Sequence, residues 1–150
     1  MENIEMKVNE IMTKDPACCL GETSLIDVAK LMAEHDCGCI PVIDNNQDKR
    51  PIGTITDRDI TIKTVSQSKD PLNMAAGDIM TGDPVTIFED AGVRECFQSM
   101  EKNRIRRILA VNQEGACVGI VAQADVACKV GEHETAELVK VVSYARAAAA

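Results

Sequence analysis

The sequence predicts an α/β protein built from two copies of one unit, each running strand–helix–strand–strand–helix after a leading segment. Three observations carry this expectation. Ile11-Met12-Thr13-Lys14-Asp15-Pro16 returns 68 residues later as Ile79-Met80-Thr81-Gly82-Asp83-Pro84. An apolar pattern of helical period follows each copy. Two short apolar runs come next, the second opening on glycine and leading into a further helix.

Leu25, Val28, Ala29 and Met32 stand at i, i+3, i+4 and i+7 and fall on one helical stripe. Val93, Cys96, Phe97 and Met100 repeat that spacing at the same offset. Ser24 and Asp27 have capping-box spacing at the start of the first stripe, with Asp in place of the longer Glu. The runs Cys39-Ile40-Pro41-Val42-Ile43 and Arg107-Ile108-Leu109-Ala110-Val111 read as buried strands. Polar turns follow, Asp44 to Lys49 and Asn112 to Gly115. The second strands are Gly53-Thr54-Ile55-Thr56 and Gly119-Ile120-Val121-Ala122, now 66 residues apart. Two residues are thus missing from the second hairpin turn, where a length change costs least. Helices are expected from near Asp57 and Gln123.

Residues 66–73 are polar, include Pro71, and read as a linker. The expected divisions are 8–66, 74–130 and a helical tail over 131–150, in which Leu138, Val139 and Val142 have helical spacing. A unit of about 60 residues is marginal alone, so the two are expected to share apolar surface.

Composition limits the function classes. The net charge of −8 opposes a nucleic-acid backbone, and aromatics at 2% leave almost nothing for bases to stack on. One basic island exists, Arg104, Arg106 and Arg107. No apolar run approaches the ~20 residues of a membrane span, and residues 1–10 are acidic without the apolar centre of a secretory signal. A cytoplasmic protein is expected, with neither membrane nor nucleic acid as partner. Seven cysteines, an odd number, argue against a disulfide framework. Cys37-Gly38-Cys39 is a poor match to zinc-ligand spacing, so no metal site is expected. The thiols are expected to be mostly buried and reduced, and Met12, Met32 and Met80 to lie in the core. No P-loop, no GxGxxG and no Ser/His/Asp order is found, so catalysis is not expected.

Two copies of this unit, each ending in Gly-x-x-Thr-x-x-Asp-apolar, resemble the CBS domain. Gly53-Thr54-Ile55-Thr56-Asp57-Arg58-Asp59-Ile60 matches that motif in full. Gly119-Ile120-Val121-Ala122-Gln123-Ala124-Asp125-Val126 departs only at Ala122, where the hydroxyl residue would stand. The opening Ile-Met-Thr-x-Asp-Pro and Ile40-Pro41-Val42 are also typical, and the likeness covers residues 8 to 130. Within the family the chain is most similar to the stand-alone bacterial type of the hypoxic-response kind. The resemblance implies a tandem pair (a Bateman module) packed sheet to sheet as a pseudo-twofold disc, which pairs into a homodimer. It also implies clefts that bind AMP, ADP, ATP, NAD or S-adenosylmethionine, with no cofactor required. Asp59 would hold the ribose and Thr56 a phosphate oxygen, helped by open N–H groups at the helix start. Ala17, Cys18, Ile40 and Pro41 would line the base pocket. Arg58, Arg104, Arg106 and Arg107 are candidates for the phosphates, because guanidinium forks match phosphate oxygens.

Asp59 and Asp125 have a second reading as acidic residues capping their own helices. The arginine island reads as a solvated face or a dimer contact as well as a phosphate site. For the whole chain the leading expectation is a regulatory module that senses an adenine nucleotide and signals to a separate effector protein. A redox-linked protein acting through Cys18, Cys19, Cys37 or Cys39 and a ligand-free dimerisation scaffold stay open beside it. Between the two halves, Asp59 is expected to hold ligand more tightly than Asp125, which lacks a neighbouring hydroxyl.

Overall fold

Helical and alternating periods dictate the elements seen in the computed structural model, which describes residues 6–129. The expected tail over 131–150 lies outside them. Two compact units are formed, and neither is a contiguous stretch of chain. The first comprises Asp15–Pro84 and Glu114–Cys117; the second comprises 6–14, Val85–Gln113 and 118–129.

In the first unit, β2 (Cys19–Leu20), α2 (Leu25–His35), β3 (Cys39–Ile43), β4 (Pro51–Thr56) and α3 (Asp57–Lys63) follow in the expected order. A short helix α4 (Ala76–Ile79) and strand β5 (Thr81–Gly82) complete it. The sheet order is β2-β3-β4-β5, with β2 parallel to β3 and the other pairs antiparallel. Leu25, Val28 and Met32 of α2 close over Ile40, Val42 and Ile55 to form the core. Ala29, expected on the same stripe, is exposed. It lies at the margin of the stripe, where a methyl group is too short to reach the sheet.

The second unit repeats the design. Its elements are α1 (Val8–Ile11), β1 (Thr13–Lys14), β6 (Thr86–Phe88), α5 (Val93–Asn103), β7 (Arg107–Val111), β8 (Cys117–Ala122) and α6 (Gln123–Lys129). The sheet order is β1-β8-β7-β6. Val93, Cys96 and Met100 pack on Ile108, Ala110 and Val121, with Phe97 half-buried against them.

The recurring hexapeptide therefore supplies an edge strand at a distance. Thr13 pairs with Ile120, and Thr81 pairs with Thr54. The glycines of the second strands have a steric reason. A Cβ on Gly53 would stand 2.7 Å from Met80 Sδ and 2.8 Å from the Thr81 carbonyl oxygen. A Cβ on Gly119 would collide with the Met12 side chain. Each methionine thus packs over the glycine of the strand it meets, half-buried against its core, while Met32 is buried in its own. The strands themselves start two residues before these glycines, at Pro51 and Cys117, because pairing continues further into the hairpins.

Ser24 caps α2 by accepting from the Asp27 N–H at 3.1 Å. The amphipathic helices end on Asp36 and Arg104, both in the left-handed region at φ 48° and 55°. The expected linker over 66–73 is bracketed by two turns of 3-10 helix, Val65–Gln67, which begins one residue before it, and Pro71–Asn73. Among the described residues no helix is long and apolar enough to cross a membrane.

Candidate functional site

Among the described residues four helices begin in the same way. A carboxylate at the third helical position accepts from the backbone N–H three residues earlier. Glu10 takes the Lys7 N–H at 2.6 Å, Asp59 that of Thr56 at 3.0 Å, Asp78 that of Ala75 at 2.8 Å, and Asp125 that of Ala122 at 2.7 Å. The geometry follows from spacing alone: residue N3 lies directly above the cap.

At α3 the arrangement is reciprocal. The Asp59 N–H also donates to the Thr56 hydroxyl oxygen at 3.0 Å. Asp57 N–H donates to the Gly38 carbonyl at 3.1 Å, and Arg58 N–H to Asp57 Oδ1 at 2.9 Å. The first three helical N–H groups therefore all have partners within the protein. This differs from the expectation of open N–H groups awaiting a phosphate; a backbone carbonyl, the Asp57 carboxylate and the Thr56 hydroxyl take one donor each. Gly38 is part of the device, since a Cβ there would stand 3.3 Å from both Asp57 carboxylate oxygens.

The side chains keep spare capacity. The Thr56 hydroxyl accepts within the cap and still has a proton to donate. Asp59 commits Oδ2 to the cap, while Oδ1 faces Lys63 Nζ at 3.5 Å. An ionised carboxylate offers about four lone-pair sites, so acceptors remain for ligand hydroxyls. Lys63 is a member of the constellation that sequence reasoning misses. Its ammonium also donates to the Ile79 carbonyl at 2.9 Å and the Thr81 hydroxyl at 3.3 Å. The i, i+4 spacing from Asp59 is the signal that could find it.

The other site residues scatter. Ile40 is fully enclosed in the first core, and Pro41 is buried on the opposite face of β3, paired with Thr54. Ala17 packs against the same core. Cys18 stands beside Cys117 and Lys49 in a cavity of about 300 Å³ that none of Thr56, Asp59 and Lys63 lines. Arg58 is exposed on the first turn of α3. In the second unit, the Gln123 N–H donates to the Arg106 carbonyl at 2.8 Å, as Asp57 does to Gly38. That bond sets exposed Arg106 and Arg107 beside the start of α6, with Arg104 at the end of α5. Asp125 makes half of a capping box, and Ala122 supplies no hydroxyl for the Asp125 N–H.

Cysteine chemistry divides by environment. Cys19 and Cys96 are buried, and loss of hydration pushes both thiols up to about 12. Cys39 and Cys117 are buried, Cys18 and Cys37 half-buried, and Cys128 exposed. The Cys18 thiol is held below its ordinary value, first by a hydrogen bond from Cys117 and then by the Lys49 charge, against an opposing effect of burial.

Paired β-α-β-β-α units, each closing on an acid-capped helix after a glycine strand, define a tandem CBS pair. The chain belongs to the CBS-domain family, which it matches over residues 8–64 and 76–132. It is 34% identical over 125 residues to Hypoxic response protein 1 of Mycobacterium tuberculosis, covering 83% of this chain and 85% of that protein. It is 35% identical over 121 residues to an uncharacterized protein of Methanopyrus kandleri, covering 81% of this chain but only 61% of that protein's length. The solved structure of Hypoxic Response Protein I, with two coordinated zinc ions, superposes with TM-score 0.73 at 29% identity, over 84% of this chain and 100% of the other. The CBS domain pair of protein MJ0100, solved with 5′-methylthioadenosine and S-adenosyl-L-methionine, gives TM-score 0.73 at 28% identity, over 84% and 100%. Among the described residues no three His, Cys, Asp or Glu side chains are grouped to hold a metal ion.

Proposed function

We propose that this chain is a regulatory module, not an enzyme, which binds an adenosine-containing ligand at the start of α3 and signals to a separate effector protein. The observation that carries this reading is the Thr56–Asp59–Lys63 constellation. A hydroxyl proton, a carboxylate with spare lone pairs and an ammonium group lie within the first two turns of one helix. A ribose diol matches the carboxylate, and a phosphate matches the hydroxyl and the ammonium. The adenosine-type ligands of the MJ0100 pair support the ligand class. Pro41 and Ala17 remain the proposed walls for the base. Arg58 is the proposed phosphate partner in the first unit, and Arg104, Arg106 and Arg107 serve Asp125 in the second. Lack of the Thr hydroxyl makes that second site the weaker one.

The active form is proposed to be a cytoplasmic homodimer. Ile62, Val65 and Leu72 are 43%, 65% and 66% exposed, and such apolar side chains gain by burial against a second copy.

A thermal-shift screen against AMP, ADP, ATP, NAD and S-adenosylmethionine tests the reading. At a hundredfold excess over Kd a ligand adds about 2.7 kcal/mol. For a chain of this size that is a rise of roughly 5–11 °C. Asp59→Ala should abolish the shift, and Asp125→Ala should leave most of it. No shift with any of the five ligands refutes the proposal, and equal losses from the two variants refute the ranking of the sites.

A further inference from the structure

We propose that Cys18 and Cys117 form a reactive dithiol site that takes low-molecular-weight disulfides, of the glutathione-disulfide class, and closes to an intramolecular disulfide. The two thiols come from opposite ends of the described chain. Cys18 follows Pro16 on the approach to β2, and its thiol donates to the Pro16 carbonyl at 3.2 Å. Cys117 opens β8, where its N–H donates to the Lys49 carbonyl at 2.8 Å. These bonds hold the thiols in side-chain contact, with Cys117 donating to Cys18. Both line the cavity of about 300 Å³, together with Asp15, Pro16, Ile43, Asn46 and Lys49. A space of that size is at the lower end of small-molecule sites.

Exposure assigns the roles. Cys18 is half-buried and Cys117 buried, so an incoming disulfide meets Cys18 first. The hydrogen bond from Cys117 and the charge of Lys49 both favour the Cys18 thiolate, which is the attacking species. Cys18 Sγ attacks one sulfur of the small disulfide, whose S–S bond breaks. One small thiolate leaves and takes up a proton, and Cys18 carries the other half as a mixed disulfide. Cys117 then gives its proton to solvent and attacks Cys18 Sγ, expelling the second small thiolate, which is protonated in turn. Two protein thiols are oxidised by two electrons in all, and one small disulfide is reduced to two thiols. Cys19, adjacent in sequence, is excluded from this chemistry by burial. The inference is independent of the nucleotide reading, because none of Thr56, Asp59 and Lys63 lines the cavity.

The test uses the full chain carrying Cys128→Ser, which removes the exposed thiol. The protein is treated with glutathione disulfide under native conditions, quenched with acid, alkylated and mapped by mass spectrometry. A Cys18–Cys117 bridge is expected as the major product. With Cys117→Ser added, glutathione should accumulate on Cys18; with Cys18→Ser, modification of Cys117 should fall by about tenfold or more, toward the rate of buried Cys19. Thermal melts confirm that each variant is folded, and Cys117→Ala replaces Cys117→Ser if the hydroxyl unfolds the strand. A bridge between other cysteines, or a stable glutathione adduct on Cys18 while Cys117 is intact, overturns the proposal. So does Cys117 reacting undiminished without Cys18.

Discussion

Truncating the two side chains that start α3 should destabilise the protein additively, despite their contact. The Asp59 carboxylate accepts from the Thr56 backbone N–H at 3.0 Å, and the Thr56 hydroxyl accepts from the Asp59 backbone N–H at 3.0 Å. Each bond joins one side chain to the other residue's main chain. Thr56→Ala therefore leaves the Asp59 bond in place, and Asp59→Ala leaves the Thr56 bond. Loss of an N-cap hydroxyl costs about 1 kcal/mol. The carboxylate bond is charge-assisted and half-buried, and its loss costs about 2 kcal/mol. The Lys63 pair, at 3.5 Å and partly exposed, adds little to that. The double variant should cost about 3 kcal/mol, with a coupling of no more than about 0.5 kcal/mol. Urea unfolding followed by circular dichroism, on protein stripped of ligand, gives all four stabilities. The reasoning fails if the double variant is no less stable than the weaker single one, since that would mean neither bond survives without its partner. It fails equally if Asp59→Ala unfolds at the wild-type midpoint.

Further expectations follow from the same geometry. Ala122→Thr should complete the second capping box and stabilise the protein by about 1 kcal/mol in urea unfolding; an unchanged midpoint counts against a shared design. Gly53→Ala should cost about 1–3 kcal/mol, because the new methyl meets the Thr81 backbone carbonyl as well as Met80. Gly119→Ala should cost less, because the three nearest atoms all belong to the movable Met12 side chain, and the reverse order would contradict this. Burial raises the Cys96 thiol from 9.0 to about 12, so the folded state favours its protonated form. Its contribution to stability is complete below pH 9 and is lost as pH rises toward 12, at up to about 1.4 kcal/mol per pH unit. Cys96→Ala should flatten that alkaline slope; an identical slope in the variant would rule out Cys96 as its source.

The parts of this fold written in local period are legible in the order of the amino acids. The stripes on α2 and α5, the runs of β3 and β7, and the helices opening at Asp57 and Gln123 all lie where the spacing puts them. Period cannot reveal α1, α4, β1 and β5, which are four or two residues long and too short to show one. Nor does it carry the pairing of Thr13 with Ile120, which depends on distant chain returning to the same edge. At the site, Thr56 and Asp59 are legible as a pair because their contact is local. Lys63 has a visible spacing from Asp59, but its bonds to Ile79 and Thr81 span the linker and leave no local trace. The partnership of Cys18 with Cys117 has no sequence signal, since it arises from tertiary return of the chain.

The distant edge strands also decide what happens if the chain is divided. A fragment ending in the linker would retain β2, β3 and β4 but lose β5, leaving the edge of β4 with unsatisfied N–H and C=O groups. Its counterpart, beginning after the linker, would lack β1 and bare the edge of β8 in the same way. Genetic separation of the repeats thus makes two sticky sheets, each missing a strand that the other fragment carries. Mixed together, such fragments have a built-in route to recombine, as a complementing pair of split halves. The crossed edge strands also tie the two halves together during synthesis: the sheet containing β8 cannot close before its last strand is made, although its first strand precedes the whole of the other sheet.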